Sequence, residues 1–265
     1  MRERLIKLLR AKTSLDFGFC SFDRIKENLI DCRAKLRIPQ NAKTVISFVF
    51  PYRCSNDFPL NISLYASVKD YHIVCGKILE DIKAFLEENF KDFKFEAFLD
   101  NSPINEVKAA ALSSLGVIGK NNLLITKKYG SFVFIGEIIT DLEVEIHPTK
   151  IKGCISCGRC SANCPTGKIE NKKNPCLSEI TQKKRDLTKD EENLILKNKC
   201  VWGCDKCQTV CPMNKDKQLT DISEFISSYR NRFNPDENKE DRAYMWRGPK
   251  VITRNYEILE KSKDN

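Results

Sequence analysis

Apolar residues in the first 150 positions switch between two periods, and the switches mark the elements. From Glu3 to Lys12, Leu5, Ile6, Leu8 and Leu9 share one side of a 3.6-residue repeat, which predicts a helix. Phe17-Gly18-Phe19-Cys20 predicts a short strand. Val45 to Phe50 is continuously β-branched and aromatic around Ser47, the pattern of a buried strand, and Pro51 ends it. Between Asn61 and Asn89, Leu64, Val68, Ile73, Ile78, Ile82, Phe85 and Leu86 stay near the helical period and predict one long helix. Phe93 to Leu99 predicts another strand, and Pro103 to Leu115 a helix with Gly116 in a C-cap position. Leu123 to Thr126 and Phe132 to Thr140 flank Lys127-Lys128-Tyr129-Gly130 and predict a hairpin. The expectation for residues 1–150 is a mixed α+β core.

Beyond residue 150 the pattern changes. Residues 151–215 form a cysteine-rich module, and the polar stretch from Lys168 to Lys199 within it predicts surface helices. Residues 216–265 read as a charged helical tail. In it Trp246, Val251, Ile252, Ile258 and Leu259 are expected to pack back on the body. No apolar run is long enough for a membrane span. The amphipathic N-terminus lacks the plan of a signal peptide, so a cytoplasmic protein is expected. The net charge of +9 fits either a basic soluble protein or one that meets a polyanion such as nucleic acid.

The chain has 13 cysteines, and nine lie between Cys154 and Cys211. The first run is Cys154-x2-Cys157-x2-Cys160-x3-Cys164-Pro165; the second is Cys204-x2-Cys207-x3-Cys211-Pro212. CxxC pairs also bind zinc, but a third ligand two residues on, followed by a Cys-Pro, is iron–sulfur spacing. A tight loop brings three thiolates to one cluster, and the fourth comes from elsewhere; in two-cluster ferredoxins the cysteine before the proline serves the other cluster. Two 4Fe–4S clusters are therefore expected. The second needs one more thiolate, for which spacing leaves Cys176 and Cys200 both open. Cys20, Cys32, Cys54 and Cys75 have no ligand spacing and read as core or surface thiols.

Other signals are weaker. Gly116-x2-Gly119-Lys120 fails as a phosphate loop, because Ser114 stands at the first glycine position and Asn121 follows the lysine. Asp100, between a strand and a helix, reads first as a turn or cap residue. His72, in a helix, reads first as structural.

Several segments together resemble the cobalamin-dependent epoxyqueuosine reductases. They are Tyr65 with Asp70-Tyr71-His72, Leu99-Asp100-Asn101-Ser102-Pro103, Leu115-Gly116-Val117-Ile118-Gly119-Lys120-Asn121, Gly130-Ser131, Gly136-Glu137-Ile138 and the two cysteine runs. The resemblance covers roughly residues 1–215. It implies a nitroreductase-like cobalamin- and substrate-binding core (1–150), a ferredoxin-like double 4Fe–4S module (151–215) and a helical tail (216–265). It implies reduction of epoxyqueuosine in the anticodon loop of tRNA to queuosine, with Asp100 as proton donor. It chooses Cys176 as the extra ligand and makes Cys200 a bystander. One cluster would use Cys154, Cys157, Cys160 and Cys211, the other Cys164, Cys176, Cys204 and Cys207. Lys120, Asn121, Ser178, Thr181 and Trp202 would lie near the corrin.

The family has tryptophan where Val117 stands, arginine near Val107, and a small-residue pair where Asn101-Ser102 stands. Longer members carry a HEAT-like tail. A monomer fed by a low-potential electron donor is expected, and Lys183-Lys184-Arg185 is a candidate contact for tRNA phosphates. Two other functions share these motifs: a cobalamin-dependent reductase of a small molecule, as in reductive dehalogenases, and an iron–sulfur electron-transfer protein.

Overall fold

A computed structural model of the chain describes residues 1–59, 61–237 and 240–261. In chain order the helices and strands are α1 (Arg2–Lys12), β1 (Asp16–Ser21), β2 (Thr44–Pro51), α2 (Tyr71–Asn89), β3 (Phe95–Leu99), α3 (Glu106–Leu112), β4 (Val117–Ile118), β5 (Leu124–Ile125), β6 (Val133–Thr140), α4 (Arg159–Ala162), α5 (Leu177–Thr181), α6 (Lys189–Asn198), α7 (Lys206–Thr209), α8 (Ser223–Ser228) and α9 (Pro249–Lys261). They form two compact units, one of Met1–Pro51 with His72–Ile155, the other of Tyr52–Tyr71 with Ser156–Asn265. No described helix is long and apolar enough to cross a membrane.

The first unit is built on a four-stranded sheet in the order β1-β2-β6-β3, antiparallel at every step. β2 is buried along its whole length, which is why its sequence is apolar with almost no alternation. Register fixes the two faces. Gly18, Ser47, Glu137 and Phe98 lie in one row across the sheet, and Phe17, Phe48, Gly136 and Leu99 in the next. A row and its neighbour point to opposite faces. α3 packs on the first: a Cβ at Gly18 would stand 2.1 Å from the Ser113 carbonyl, so only glycine admits this approach. α2 packs on the second, where a Cβ at Gly136 would meet Leu79 at 3.2 Å.

Three expectations for residues 61–140 are corrected. The long helix over 61–89 begins only at Tyr71, and Leu64–Ala66 is a single 3-10 turn. Leu64 and Val68 are buried as their period required. Yet the backbone N–H groups of Ser63, Lys69 and Asp70 donate to Trp202 O, Ser228 Oγ and Asp241 O, so no helical ladder can form there. Ile73, taken as part of the apolar stripe, is 48% exposed.

The helix expected over 103–115 spans only Glu106–Leu112, with Ser113 as its C-cap. Gly116 is glycine for another reason: a Cβ there would lie 2.5 Å from the Ile125 carbonyl. Finally, the expected hairpin does not form as a strand pair. Thr126 and Gly130 close the turn, but β5 pairs with β4 while β6 runs to the centre of the main sheet.

In the second unit Asn61–Ser63 lies alongside Val201–Trp202, joined by Val201 N–H to Asn61 O (2.7 Å) and Ser63 N–H to Trp202 O (2.9 Å). The core here is Ile62, Ala66, Val201, Trp202, Phe233, Tyr244, Val251 and Ile252. α9 is pinned by the buried Asn255, whose Nδ2 donates to Thr181 O (2.7 Å) and Val201 O (2.8 Å). Val251 and Ile252 thus pack as expected, and Leu259 joins them at the edge. Trp246 does not: it is 58% exposed, with the Arg247 guanidinium 3.6 Å from its ring centre.

Candidate functional site

Asp100 follows directly on β3. Its φ of 60° is left-handed, a conformation that aspartate tolerates better than most residues. The chain turns tightly there, with Asn101 N–H on Leu99 O (2.7 Å) and Ser102 N–H on Asp100 O (2.8 Å). The turn aims the Asp100 carboxylate outward, 59% exposed, where its Oδ2 lies 3.3 Å from His72 Nε2 on the first turn of α2. The buried Ser102, Pro103 and Ile104 bring the chain back to Asn105, which caps α3 by accepting from Lys108 N–H (2.9 Å). Glu106 comes next.

Sequence reasoning passed over Glu106 and singled out Glu137 only as part of a motif. Glu137 sits on a central strand and is wholly buried, and among the described residues neither carboxylate oxygen has a well-aligned hydrogen-bond partner, the Ser102 hydroxyl being the nearest donor. Glu106 Oε2 is likewise buried and unpartnered. Burial pushes the acid strength of both down, that is, their pKa up; the charge of Asp100 adds to this at Glu106, and that of Glu106 at Glu137, with the Ser102 hydroxyl opposing it weakly. One signal was available in the sequence: a lone acid in Ile135-Gly136-Glu137-Ile138-Ile139, a run too apolar for a strand face in water.

Lys120 and Asn121 lie in the turn between β4 and β5, closed by Gly119 N–H on Leu123 O (2.8 Å). Lys120 is exposed. Asn121 Oδ1 accepts from Leu123 N–H at 3.4 Å and would have to move if residue 119 carried a Cβ.

The cysteines of the second unit fall into two neighbourhoods. The Cys204 thiol is pushed up to about 12, by burial first, with the nearby sulfurs of Cys176 and Cys207 among the charges that add to it. The Cys211 thiol is also raised by burial, with Cys157 and Cys160 as its sulfur neighbours. Cys164 goes the other way. Burial opposes its ionisation, yet the N–H groups of Ile169, Thr166 and Lys168 and the Thr166 hydroxyl overcome it and lower its pKa. Crowded thiols that resist joint ionisation, and a sulfur ringed by amides, both suit thiolates facing the positive charge of iron. Cys154 closes the first unit, its N–H on Ile118 O (3.0 Å). Among the described residues no three such side chains converge as tightly as a single metal ion requires. A cluster holds its sulfurs farther apart.

Cys200 is different in kind. Its Sγ donates to Trp202 O (3.3 Å) and Gly203 O (3.4 Å), which a thiolate cannot do. Burial and the charge of Asp205 push its pKa up to about 12. Thr181, buried, accepts from Gly203 N–H (3.0 Å) and donates to Ser178 O (2.8 Å). Ser178 accepts from Gln182 Nε2 (3.3 Å), which also reaches the Tyr65 hydroxyl (3.4 Å). Trp202 is fully buried, and its indole N–H has no well-aligned acceptor; Ser63 Oγ is orphaned in the same way. The side chains of Thr181 and Trp202 therefore support this edge from beneath. Gly203, with φ 75°, packs so closely that a Cβ would stand 2.0 Å from Ser63 Oγ.

An antiparallel α+β unit with an exposed acid at a strand end, in one chain with a unit of grouped cysteines, defines an iron–sulfur oxidoreductase type of protein. Residues 153–214 match the family model of a 4Fe-4S double cluster binding domain, and residues 34–101 that of epoxyqueuosine reductase QueG, DUF1730. The epoxyqueuosine reductase of Synechocystis sp. is 34% identical over 221 residues, 80% of this chain and 73% of that protein. That of Listeria monocytogenes is 36% identical over 208 residues, 72% of this chain and 54% of that protein. The crystal structure of an epoxyqueuosine reductase with an epoxyqueuosine-modified tRNA-Tyr stem loop aligns with TM-score 0.81 and 25% identity, over 97% of this chain and 80% of that one. The chain belongs to the epoxyqueuosine reductase family. It spans about half the length of the Listeria relative.

Proposed function

We propose that the chain reduces epoxyqueuosine in the anticodon loop of tRNA to queuosine. The observation that carries this is the pairing of a double-cluster cysteine module with an acid, Asp100, presented at the open end of β3. On this reading residues 1–150 bind cobalamin and substrate, 151–215 carry the clusters and 216–265 form a helical tail. The clusters would be held by Cys154, Cys157, Cys160 and Cys211, and by Cys164, Cys176, Cys204 and Cys207. The sulfur neighbourhoods around Cys211 and Cys204 support that division.

Cobalamin carries many amide arms. A polar edge of Ser178, Gln182 and Tyr65, with the orphaned Ser63 hydroxyl and Trp202 N–H behind it, suits such a ligand. Lys120 and Asn121, on the β4–β5 turn, are proposed as further contacts, with Thr181 and Trp202 acting by shaping the edge. Bound, the cofactors would supply single electrons and a strongly reducing cobalt centre.

The protein's own task is the proton. Removing an epoxide oxygen consumes two electrons and two protons and releases water. Asp100 gives a proton to the departing oxygen. Its side chain is exposed in the protein alone, so the burial that keeps it an acid must come from cofactor and substrate. His72 fixes the direction of the carboxyl. The test is anaerobic reconstitution with iron, sulfide and cobalamin, followed by assay on tRNA containing epoxyqueuosine. Queuosine should form; brown protein that binds cobalamin but leaves the epoxide intact would refute the reading.

A further inference from the structure

A 3-10 turn over Ala243–Arg247 leads into α9. Its Tyr244 packs into the core of the second unit, with the ring centre 5.6 Å from that of Phe233 and 6.1 Å from that of Trp202. Trp246, two residues on, is left 58% exposed. The corner that presents it is fixed. Gly248 N–H donates to Met245 O (2.8 Å), Gly248 takes a φ of 87° that favours glycine, and Pro249 opens α9. The Arg247 guanidinium lies over the indole, 3.6 Å from its ring centre. Arg247 Nε is buried with no well-aligned acceptor among the described residues, so stacking is what holds this side chain. One face of Trp246 is thus covered by a cation, and the other carries the exposure.

The charges beside it run against the helix. A helix start attracts acids and anions. α9 has no acid in its first turn and carries the exposed Lys250 there, just after Arg247. One turn further, Arg254 Nη1 donates to Arg185 O (2.6 Å), which ties the segment of the exposed Lys184 to the same helix. Of the acids that precede the corner, Glu237 is paired with Arg230 (3.1 Å) and Asp241 with Arg242 (3.3 Å). An aromatic face beside cations massed at a helix start offers one surface to a planar base and another to its phosphate.

We propose that this corner is a stacking platform for one unpaired nucleotide of the RNA substrate. The base lies on the open face of Trp246, and the adjoining phosphate meets Lys250 and the start of α9. This rests on the reading of the chain as an enzyme acting on tRNA. Arg247 backs the indole and does not compete for the base. Paired RNA keeps its bases stacked within the helix, so the platform selects a loop over a stem.

The experiment uses the reconstituted holoenzyme and a fluorescein-labelled anticodon stem loop, with binding read by anisotropy. Trp246→Ala should raise Kd about ten- to a hundredfold, the loss of one stacked base, with the slope of log K against log salt unchanged. Trp246→Phe should stay within about threefold of the wild type, since any aromatic face can stack. Lys250→Ala should make the salt slope shallower by about 1. Abasic substitution of each loop nucleotide in turn should find one position where the wild type binds as weakly as Trp246→Ala binds the intact loop. Both changes together should cost no more than either alone. A duplex of the same length should bind wild type and Trp246→Ala alike. Unchanged loop affinity in Trp246→Ala, or an equal loss on duplex, overturns the platform. So does a variant altered only in self-association, which makes the corner a protein contact. A wild type that shows the Trp246 dependence but leaves epoxyqueuosine unreduced overturns the reductase reading and keeps the platform. One that reduces it while Trp246→Ala keeps both Kd and KM overturns the platform alone.

Discussion

His72 Nε2 on the first turn of α2 lies 3.3 Å from Asp100 Oδ2 at the end of β3. The two residues are 28 positions apart, and the sheet brings them together. Asp100 stands in a left-handed turn with its side chain 59% exposed. The imidazole is one of the groups that hold it. Asp100→Asn should lower turnover of epoxyqueuosine tRNA by about 10²–10⁴-fold. Its visible spectrum should keep the cluster and corrin absorption. His72→Phe should cost less, about tenfold, because the acid remains and only its aim is lost. Full turnover in Asp100→Asn would remove this residue from the chemistry.

The thiol of Cys200 is tied to two carbonyls, whereas Cys176 neighbours Cys204. On the proposed ligand sets, Cys176→Ser should lose about half of the iron after reconstitution, because one of two clusters would lack its fourth thiolate. Cys200→Ser should keep all of it, since a hydroxyl can donate to Trp202 O and Gly203 O in the same way. Iron and sulfide analysis reads both. The reverse pattern would exchange the two cysteines' roles.

These two cysteines also mark where the sequence was legible. Ligand spacing within a loop is local, so the two runs announced iron–sulfur chemistry on their own. The proposed extra ligand, Cys176, lies in a distant segment, and no local spacing could choose it. The strand at 45–50 was legible as a continuous run of buried residues, and that at 93–99 because Phe93, Phe95 and Ala97 alternate with Lys94 and Glu96, the pattern of a strand with one buried face. The stretch from Asn61 to Asp70 was not. Leu64 and Val68 keep a helical period, but they are buried by residues far along the chain, and the backbone N–H groups around them go to those residues too. Glu106 escaped notice for a related reason: a glutamate on the first turn of a helix is ordinary, and only the fold reveals Glu137 beneath it.

Glu191 is the clearest case of a carboxylate held in its charged form. Arg185 grips it with two nitrogens (2.8 and 2.9 Å), Lys183 adds a third contact (2.7 Å), and Thr188 N–H a fourth (3.0 Å). The Arg185 hydrogen bonds, against the effect of burial, pull its pKa from 4.5 down to about 2. A folded-state pKa below the ordinary one means stability that is full above 4.5 and is lost as the pH falls from there through about 2. Glu191→Gln should cost about 1 kcal/mol near neutral pH, because the amide keeps the cap but loses the charge that Arg185 and Lys183 grip. Urea midpoints of wild type and variant should converge as the pH approaches 2. A constant gap would mean that packing, not charge, is what the substitution removes.

The same clamp changes which basic residue can meet a polyanion. Lys183 and Arg185 are occupied by Glu191, whereas the exposed Lys184 has no ion pair among the described residues. If this segment touches tRNA phosphates, Lys184 is the contact. Binding should weaken as salt rises from about 50 to 200 mM, and Lys184→Ala should make the slope of log K against log salt shallower by about 1. Lys184→Ala should leave the melting temperature alone. Arg185→Ala should do the opposite, lowering the melting temperature while the salt slope stays as in the wild type, because its guanidinium is spent on Glu191. Affinity indifferent to salt would exclude phosphate contacts altogether, and an unchanged slope in Lys184→Ala would move them elsewhere on a chain whose net charge is +9.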